Sequence, residues 1–140
     1  MSTPENTFIA SVHRHLPATL YHMKNHNTYN GGIADVWYSS KTDLWVEYKF
    51  LNPLPKRDST EISLVHGKTP MLSALQQRWL RDRWSEGRNV YVIVGCKEGG
   101  VIHQSPSAWE RTHTTAEFKQ LMFSRKDIAQ LLANHVGHPS

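Results

Sequence analysis

The sequence predicts an α/β fold in which a mixed β-sheet is flanked by helices. Two segments begin with helix-capping residues and then carry apolar side chains at helical spacing. Residues 89–95, which follow the second segment, are apolar and mostly β-branched at consecutive positions, as expected for a strand that is covered on both faces. The predicted order is αβββαβ, followed by one more strand and C-terminal helices.

Length and composition limit the class of protein. A chain of 140 residues has about the size of one domain, and we expect a single domain over residues 1–140. No apolar run approaches the ~20 residues that span a bilayer, and residues 1–10 lack the pattern of a signal peptide. The lone Cys96 cannot form an internal disulfide, so we expect a cytoplasmic protein without membrane contact.

The charge balance favours a polyanionic partner. Lys and Arg number 16 against 12 for Asp and Glu, which gives a formal net charge of +4 at pH 7. Residues 51–68 carry a Lys-Arg pair and a further lysine in a polar segment that is longer than most connections, and many such long loops are functional.

The first half of the chain contains a helix and three strands. A box formed by Ser2 and Glu5 predicts a helix over residues 3–16, which ends at Pro17. A short strand is expected over residues 20–23, and a polar loop follows it. Residues 33–38 and 44–50 are rich in β-branched and aromatic side chains around a short polar turn, which predicts a β-hairpin.

The second half begins with a helix capped by Thr69, started by Pro70 and ended at Gly87. Residues 99–103 are predicted to form an edge strand after the central strand 89–95. The pairs Thr114–Glu117 and Ser124–Asp127 are typical of the starts of two C-terminal helices. The helix that starts at Pro70 is predicted to bury one side, which carries Leu72, Leu75, Trp79 and Leu80.

Three charged side chains are predicted to converge on the hairpin. Glu47 and Lys49 share one face of the second strand because strand side chains alternate, and Asp35 can lie across from them on the first strand. Two carboxylates suit a hard divalent cation, whose shell is completed by water and phosphate, and a nearby lysine can act on an attacking water. The set suits phosphodiester hydrolysis, although such charges are also common on ordinary hairpin surfaces.

Glu5 has two interpretations at this stage. Its spacing with Ile9, Val12 and Leu16 places it on the apolar side of the first helix, where an unpaired carboxylate is costly. It can serve only as a capping residue, or it can also hold a second metal ion or a water molecule.

The spacing of these residues resembles that of the PD-(D/E)XK nuclease superfamily, and within it the VRR-NUC and phage Holliday-junction-resolvase-like branch. The resemblance covers residues 4–94, taken as the core (about 4–95), and leaves residues 101–140 as a C-terminal extension. It is carried by GIADVWY (residues 32–38), LWVEYK (residues 44–49) and LQQRWL (residues 75–80), followed by Gly87 and an apolar strand. It implies a restriction-endonuclease-like core.

The resemblance also implies roles for single residues. Asp35 and Glu47 would hold Mg²⁺, for which Mn²⁺ could substitute, with the backbone carbonyl of Tyr48 as a further ligand. Lys49 would be the catalytic lysine. Glu5 matches the acid of the first helix, and Gln76 matches the glutamine of the second, with Gln77 as the alternative. The chain departs from the motif name at Ala34, a position that shapes backbone and carries no chemistry.

DNA is the expected partner, contacted mainly through its phosphates because the sequence offers no base-recognition helix and no aromatic stacking platform. The candidate phosphate contacts are Lys24, Asn25, His26, Lys56, Arg57, Lys68, Arg78 and Arg81.

The favoured function is a metal-dependent endodeoxyribonuclease, phage-type and acting on branched DNA. The alternatives are a sequence-specific homing-type endonuclease and a non-catalytic DNA-binding module on a nuclease fold. A homodimer is plausible because symmetric cutting of two strands needs two sites.

Overall fold

The computed structural model describes residues 3–25 and 31–139. Its helices are α1 (Pro4–His13), α2 (Ala74–Ser85), α3 (Pro106–Trp109), α4 (Thr115–Gln120) and α5 (Arg125–His135). Its strands are β1 (Tyr21–Lys24), β2 (Val36–Ser39), β3 (Asp43–Phe50), β4 (Glu61–Ile62), β5 (Val90–Cys96), β6 (Gly99–His103) and β7 (His113–Thr114).

The main sheet has five strands in the order β1-β2-β3-β5-β6. The β1–β2, β2–β3 and β5–β6 pairs are antiparallel, whereas β3 and β5 are parallel and are connected through α2. The sheet is therefore mixed, as predicted. All seven residues of β5 are buried, which confirms the covered strand, and β6 is confirmed at the sheet edge.

Each face of the main sheet packs against helices. One core joins β2, β3 and β5 to α1 and α5 through side chains such as Phe8, Tyr48 and Leu132. The opposite core joins β3, β5 and β6 to α2, α3 and α4 through Leu80, Trp109 and others. The predicted arrangement of a mixed sheet flanked by helices is confirmed. Within the described ranges, no helix is long and apolar enough to cross a membrane.

Two helix starts differ from the sequence prediction. The N-cap of α1 is Thr3, whose side chain accepts a hydrogen bond from the Asn6 amide, and the helix ends at His13, before Leu16. The prediction that α2 begins at Pro70 is wrong, because Ser73 caps α2 and forms a capping box with Gln76. Leu75 consequently lies in the first turn of α2 and is 58% exposed, so its predicted burial is also wrong.

The basic segment 51–68 is partly ordered by a second, smaller sheet. Within it, β4 pairs antiparallel with β7, a contact that the sequence analysis does not predict. Ile62 and Leu64 are buried in the core under α2, so this half of the segment is anchored to the domain. The predicted starts of the C-terminal helices are confirmed, with Thr114 capping α4 and Ser124 capping α5.

Candidate active site

The hairpin β2–β3 brings the predicted acids together. Val36 pairs with Val46, so Asp35, which immediately precedes β2 rather than lying within it, stands opposite Glu47. Alternation along β3 places Glu47 and Lys49 on the sheet face that α2 covers. The same face therefore carries both acids and the lysine.

Glu47 is 1% exposed, and its carboxyl group interacts with Lys49, Gln76 and the Asp35 side chain. Its Oε2 lies 3.4 Å from the Lys49 Nζ and accepts a hydrogen bond of 3.1 Å from the Gln76 side-chain amide. Its Oε1 is buried and has no hydrogen-bond partner. An unsatisfied carboxylate oxygen in the interior is costly, which points to a ligand that completes it.

Asp35 is held by the strand that carries Glu47. Its Oδ2 accepts a hydrogen bond of 2.8 Å from the backbone N–H of Tyr48. The Asp35 backbone carbonyl in turn accepts from the Asn25 amide at 2.7 Å. These two bonds fix the Asp35 side chain beside Glu47 and tie it to the end of β1.

Burial raises the pKa values of all three acids, and the charge of Asp35 adds to the shift of Glu47 and of Glu5. Burial, followed by the charge of Asp35, raises the pKa of Glu47 to about 9, although Lys49 opposes the shift. Burial also raises the pKa of Asp35, against the hydrogen bond from Tyr48. Burial and then Asp35 raise the pKa of Glu5. Crowded acids of this kind are typical of sites that bind cations or transfer protons.

Glu5 therefore belongs to the cluster. It lies in the first turn of α1, and its pKa responds to Asp35, Lys49 and Lys24. Since the Thr3 side chain accepts from the Asn6 amide at the start of α1, Glu5 is not the partner in a capping box. The interpretation of Glu5 as a capping residue alone loses its basis, although its negative charge still suits a helix N-terminus.

Gln76 connects α2 to the acids. Its side-chain oxygen accepts from the Ser73 backbone N–H at 2.9 Å, while its nitrogen donates to Glu47. One side chain thus caps the helix and contacts the candidate site. Gln77, the alternative, instead donates to the carbonyl of Leu72.

The residues present suit a hard divalent cation. Within the described part of the chain, no group of three His, Cys, Asp or Glu side chains has the geometry of a ready metal centre. Mg²⁺ needs fewer protein ligands, since it commonly keeps several waters and takes one or two carboxylates. Asp35, and Glu47 with its unpartnered Oε1, fit that requirement.

The candidate phosphate contacts fall into separate groups. Lys24 lies nearest the acids, where its charge affects Glu5 and Asp35, and it donates to the Asn6 side chain at 2.9 Å. His26 lies outside the described residues. Arg81 forms an ion pair with Glu110, which partly neutralises its charge. The remaining cations are exposed: Lys56, Arg57, Lys68 and Arg78.

Two cavities that share Asn52 lie beside Glu5 and Lys56. One cavity of about 320 Å³ is lined by Glu5, Phe50 and Asn52. A second of about 280 Å³ shares Asn52 and is lined by Lys56 and other side chains, among them Lys97, Glu98 and Lys119. Lys97 and Lys119 were not predicted, because each joins this surface only through the tertiary fold.

The structure also contains a row of aromatic rings that the sequence analysis does not predict. Trp37 lies between Tyr21 and Trp45, and Trp79 of α2 extends the row. Alternation and register create the row, and neither is visible as a linear motif. The sequence analysis expects no aromatic stacking platform and does not anticipate this row.

Comparison with known proteins identifies the fold. No protein-family model matches the sequence, and no curated protein matches it significantly. Among solved structures, the chain is similar to Hjc, a Holliday junction resolvase from the archaeal hyperthermophile Archaeoglobus fulgidus. The TM-score is 0.52, with 12% sequence identity over 91% of this chain and 96% of that one.

The chain has a restriction-endonuclease-like fold. This likeness and the observed sheet topology confirm the predicted fold class. Fold does not by itself establish function, so any activity has to be argued from the acids and the lysine on β3 and beside β2.

Proposed function

We propose that the chain is a metal-dependent endodeoxyribonuclease that hydrolyses phosphodiester bonds of branched or recombination-intermediate DNA. The observation that carries this proposal is the buried Glu47 carboxylate, which has an unpartnered oxygen and lies opposite Asp35 and beside Lys49. Burial of such a carboxylate without a cation costs free energy, and the restriction-endonuclease-like fold supports the assignment.

The proposed ligands of Mg²⁺, or of Mn²⁺ in its place, are Asp35, Glu47 and the Tyr48 carbonyl. Glu5 interacts electrostatically with both acids and is the proposed ligand of a second ion. When bound, the cation would supply an activated water and stabilise charge on the phosphate.

The chain's own side chains orient the reaction. Lys49 is 16% exposed, so its ammonium can reach a phosphate oxygen or the attacking water from beside Glu47. Gln76 holds the Glu47 Oε2 through its amide, which leaves the Oε1 directed elsewhere. The Tyr48 amide fixes the Asp35 Oδ2. Each contact fixes the geometry before substrate arrives.

Branched DNA is the proposed substrate class. It is supported by the likeness of the fold to that of a Holliday junction resolvase. Membership of the VRR-NUC and phage branch, and a homodimer with two sites, remain part of this proposal.

The decisive experiment is cleavage of a synthetic four-way junction and of a fully paired duplex, each with Mg²⁺, with Mn²⁺ and with EDTA. We expect cuts near the branch with either metal and none with EDTA. Asp35→Asn should remove cleavage, and Asp58→Asn, an exposed acid outside the site, should not.

Two outcomes would favour the alternatives. Cutting at one defined sequence in unbranched duplex would favour a homing-type enzyme. Tight junction binding that is unaffected by EDTA, with no cleavage under any condition, would favour a non-catalytic DNA-binding module.

A further inference from the structure

The row of aromatic rings lies on the sheet face that carries the acids. Trp37 lies two residues after Asp35, and Trp45 lies two residues before Glu47, so each shares a face with its acid. Two residues along a strand correspond to about 7 Å. The row therefore runs across the strands one step from the candidate cleavage site.

The rings form a continuous row from the sheet edge to α2. The Trp37 and Trp45 rings stack with centroids 6.1 Å apart and an angle of 26°. Tyr21, on the edge strand β1, meets Trp37 edge-on at 5.5 Å, and Trp79 meets Trp45 in the same manner at 5.6 Å. At the far end, the Arg83 guanidinium lies 5.6 Å from the centre of the Trp79 ring.

Part of this row lies outside the two hydrophobic cores. Trp45 and Trp79 pack against the core under α2, but Trp37 belongs to neither hydrophobic core of the described residues. Tyr21 is 58% exposed, and Met23, which pairs with Trp37 across the β1–β2 ladder, is 44% exposed. A partly exposed tryptophan between two exposed apolar side chains is a surface that suits a partner with a flat apolar face.

The surroundings of the row favour a partner that is also negatively charged. A cavity of about 380 Å³ beside Trp45 is lined by Lys41 and Arg88, together with Asp43. Lys41 and Arg88 are exposed, and neither forms an ion pair with another residue in the described ranges. Aromatic faces flanked by cations are the combination that binds single-stranded nucleic acid, since every base offers a π-face and every linkage a phosphate.

We propose that Tyr21, Trp37 and Trp45 form a stacking surface for unpaired bases next to the scissile phosphate. This inference rests on the proposed nuclease function and deepens it, because it names the feature of DNA that is recognised. Bases in an intact duplex stack on each other and cannot lie on these rings. Nucleotides that are unpaired at a branch point can, so the row would select DNA that is open at the cut.

The test compares binding of an oligothymidylate and of a fully paired duplex of equal length, by fluorescence anisotropy in EDTA. We expect Trp37→Ala to weaken oligothymidylate binding by about 5- to 150-fold, the range for stacking of one base on an aromatic ring, and to change duplex binding by less than about twofold. Trp37→Phe, which keeps a ring, should retain most of the affinity. Trp84→Ala is the matched control, since Trp84 is 45% exposed on α2 and lies outside the row.

A second variant guards against a folding defect. Tyr21→Ser removes a ring that is largely exposed at the sheet edge, and it should weaken oligothymidylate binding in the same selective manner. A melting temperature equal to that of the wild type shows that a variant is folded, so that its loss of binding can be assigned to the missing ring.

Three results would overturn the proposal: unchanged oligothymidylate binding in both variants, equal weakening for duplex and single strand, or conversion of a wild-type dimer to a monomer by Trp37→Ala. The last would assign the row to contact between two copies of the chain. A selective binding loss in a protein that cuts no DNA would support the stacking surface and reject the nuclease function, so the two failures are distinguishable.

Discussion

Glu47 is 1% exposed and keeps one carboxylate oxygen without a hydrogen-bond partner. An ordinary glutamate has a pKa of 4.5, but burial and the neighbouring Asp35 raise the pKa of Glu47 to about 9. Between these values the unfolded chain releases the proton while the folded chain retains it. The free energy of unfolding of the metal-free protein therefore falls as pH rises through this window.

Glu47→Gln should relieve this cost and remove cleavage at the same time. In EDTA, we expect the variant to gain on the order of 1–3 kcal/mol in the free energy of unfolding near neutral pH, and little at about pH 4. Denaturant melts at both pH values measure the difference, with the exposed Glu61→Gln as control. A gain that is the same at both pH values, or near wild-type cleavage with Mg²⁺, would contradict the assignment.

Lys49→Ala separates chemistry from binding. The lysine lies 3.4 Å from Glu47 and contributes one phosphate contact at most, so junction affinity should stay within a few fold. Turnover should fall by about 100-fold or more, because a positioned cation next to the reacting phosphate is lost. Single-turnover cleavage and anisotropy provide the two values, and Lys126→Ala on α5 serves as control. Equal losses in junction affinity and in turnover would show that Lys49 acts only in DNA binding.

At the scale of elements, the N-terminus of α2 links helix stability to the geometry of the acids. The Gln76 side chain closes a capping box with Ser73 and also donates to Glu47. A change in the cap therefore reaches the carboxylate through one side chain. The N-terminus of α5, capped by Ser124, provides a comparison in which the cap has no contact with the acids.

Ser73→Ala and Ser124→Ala should lower the free energy of unfolding by a similar amount, about 1 kcal/mol each. Only Ser73→Ala should also slow cleavage, since it removes the hydroxyl that accepts from the Gln76 backbone N–H and so loosens the residue that contacts Glu47. Chemical denaturation gives the first quantity and junction cleavage the second. Gln76→Glu, which preserves a capping box but places a carboxylate against Glu47, should slow cleavage further. Similar cleavage in the two serine variants would show that the cap and the acids are independent.

Local patterns predicted the elements whose signals are contiguous in sequence. Strand β5 was predicted because its apolar residues are consecutive, and α4 and α5 because their caps are followed by periodic side chains. The start of α2 was not predicted correctly, because Thr69 and Pro70 also form a plausible helix start and compete with the capping box of Ser73 and Gln76. Tertiary contacts decided between them: Leu72 is buried before the helix begins, and its amide bonds the Leu64 carbonyl.

The two-residue strands β4 and β7 carry no periodicity at all, so their pairing could not be predicted. The site followed a similar division. Alternation alone placed Glu47 and Lys49 on one face, whereas the Trp37 stack depends on the register between strands.

At the scale of the whole molecule, whose formal net charge is +4, the basic side chains fall into two groups. Several cations are committed to ion pairs, among them Arg81, Arg83 and Lys119. Others line the cavity that shares Asn52 with the cavity at Glu5, where Lys56 and Lys97 face solvent. Under the proposed function, this surface would contact DNA phosphates away from the acids.

Replacement of Lys56, Arg57 and Lys68 by alanine should flatten the salt dependence of DNA affinity. Each neutralised phosphate contributes about −0.9 to the log–log slope on duplex DNA, so the slope should become shallower by up to that amount per side chain. Binding titrations over a series of salt concentrations measure it. Alanine at Arg14 and Lys126, two exposed cations elsewhere, should leave the slope near the wild-type value. An unchanged slope in the triple variant would remove segment 51–68 from the interface.

The packing of α1 on α5 has a consequence for the timing of synthesis. Helix α1 carries Glu5, and its buried side, with Phe8 and Val12, shares a core with α5. The Arg125 guanidinium closes this contact by donating to the Ser11 hydroxyl at 2.7 Å and lying over the Phe8 ring. Because α5 leaves the ribosome after every other described element, a nascent chain holds Glu5 on a helix that lacks its partner. Helix α1 therefore gains its full packing, and Glu5 its full support, only after α5 has been synthesised, so under the proposed function the nuclease centre would be completed late in translation.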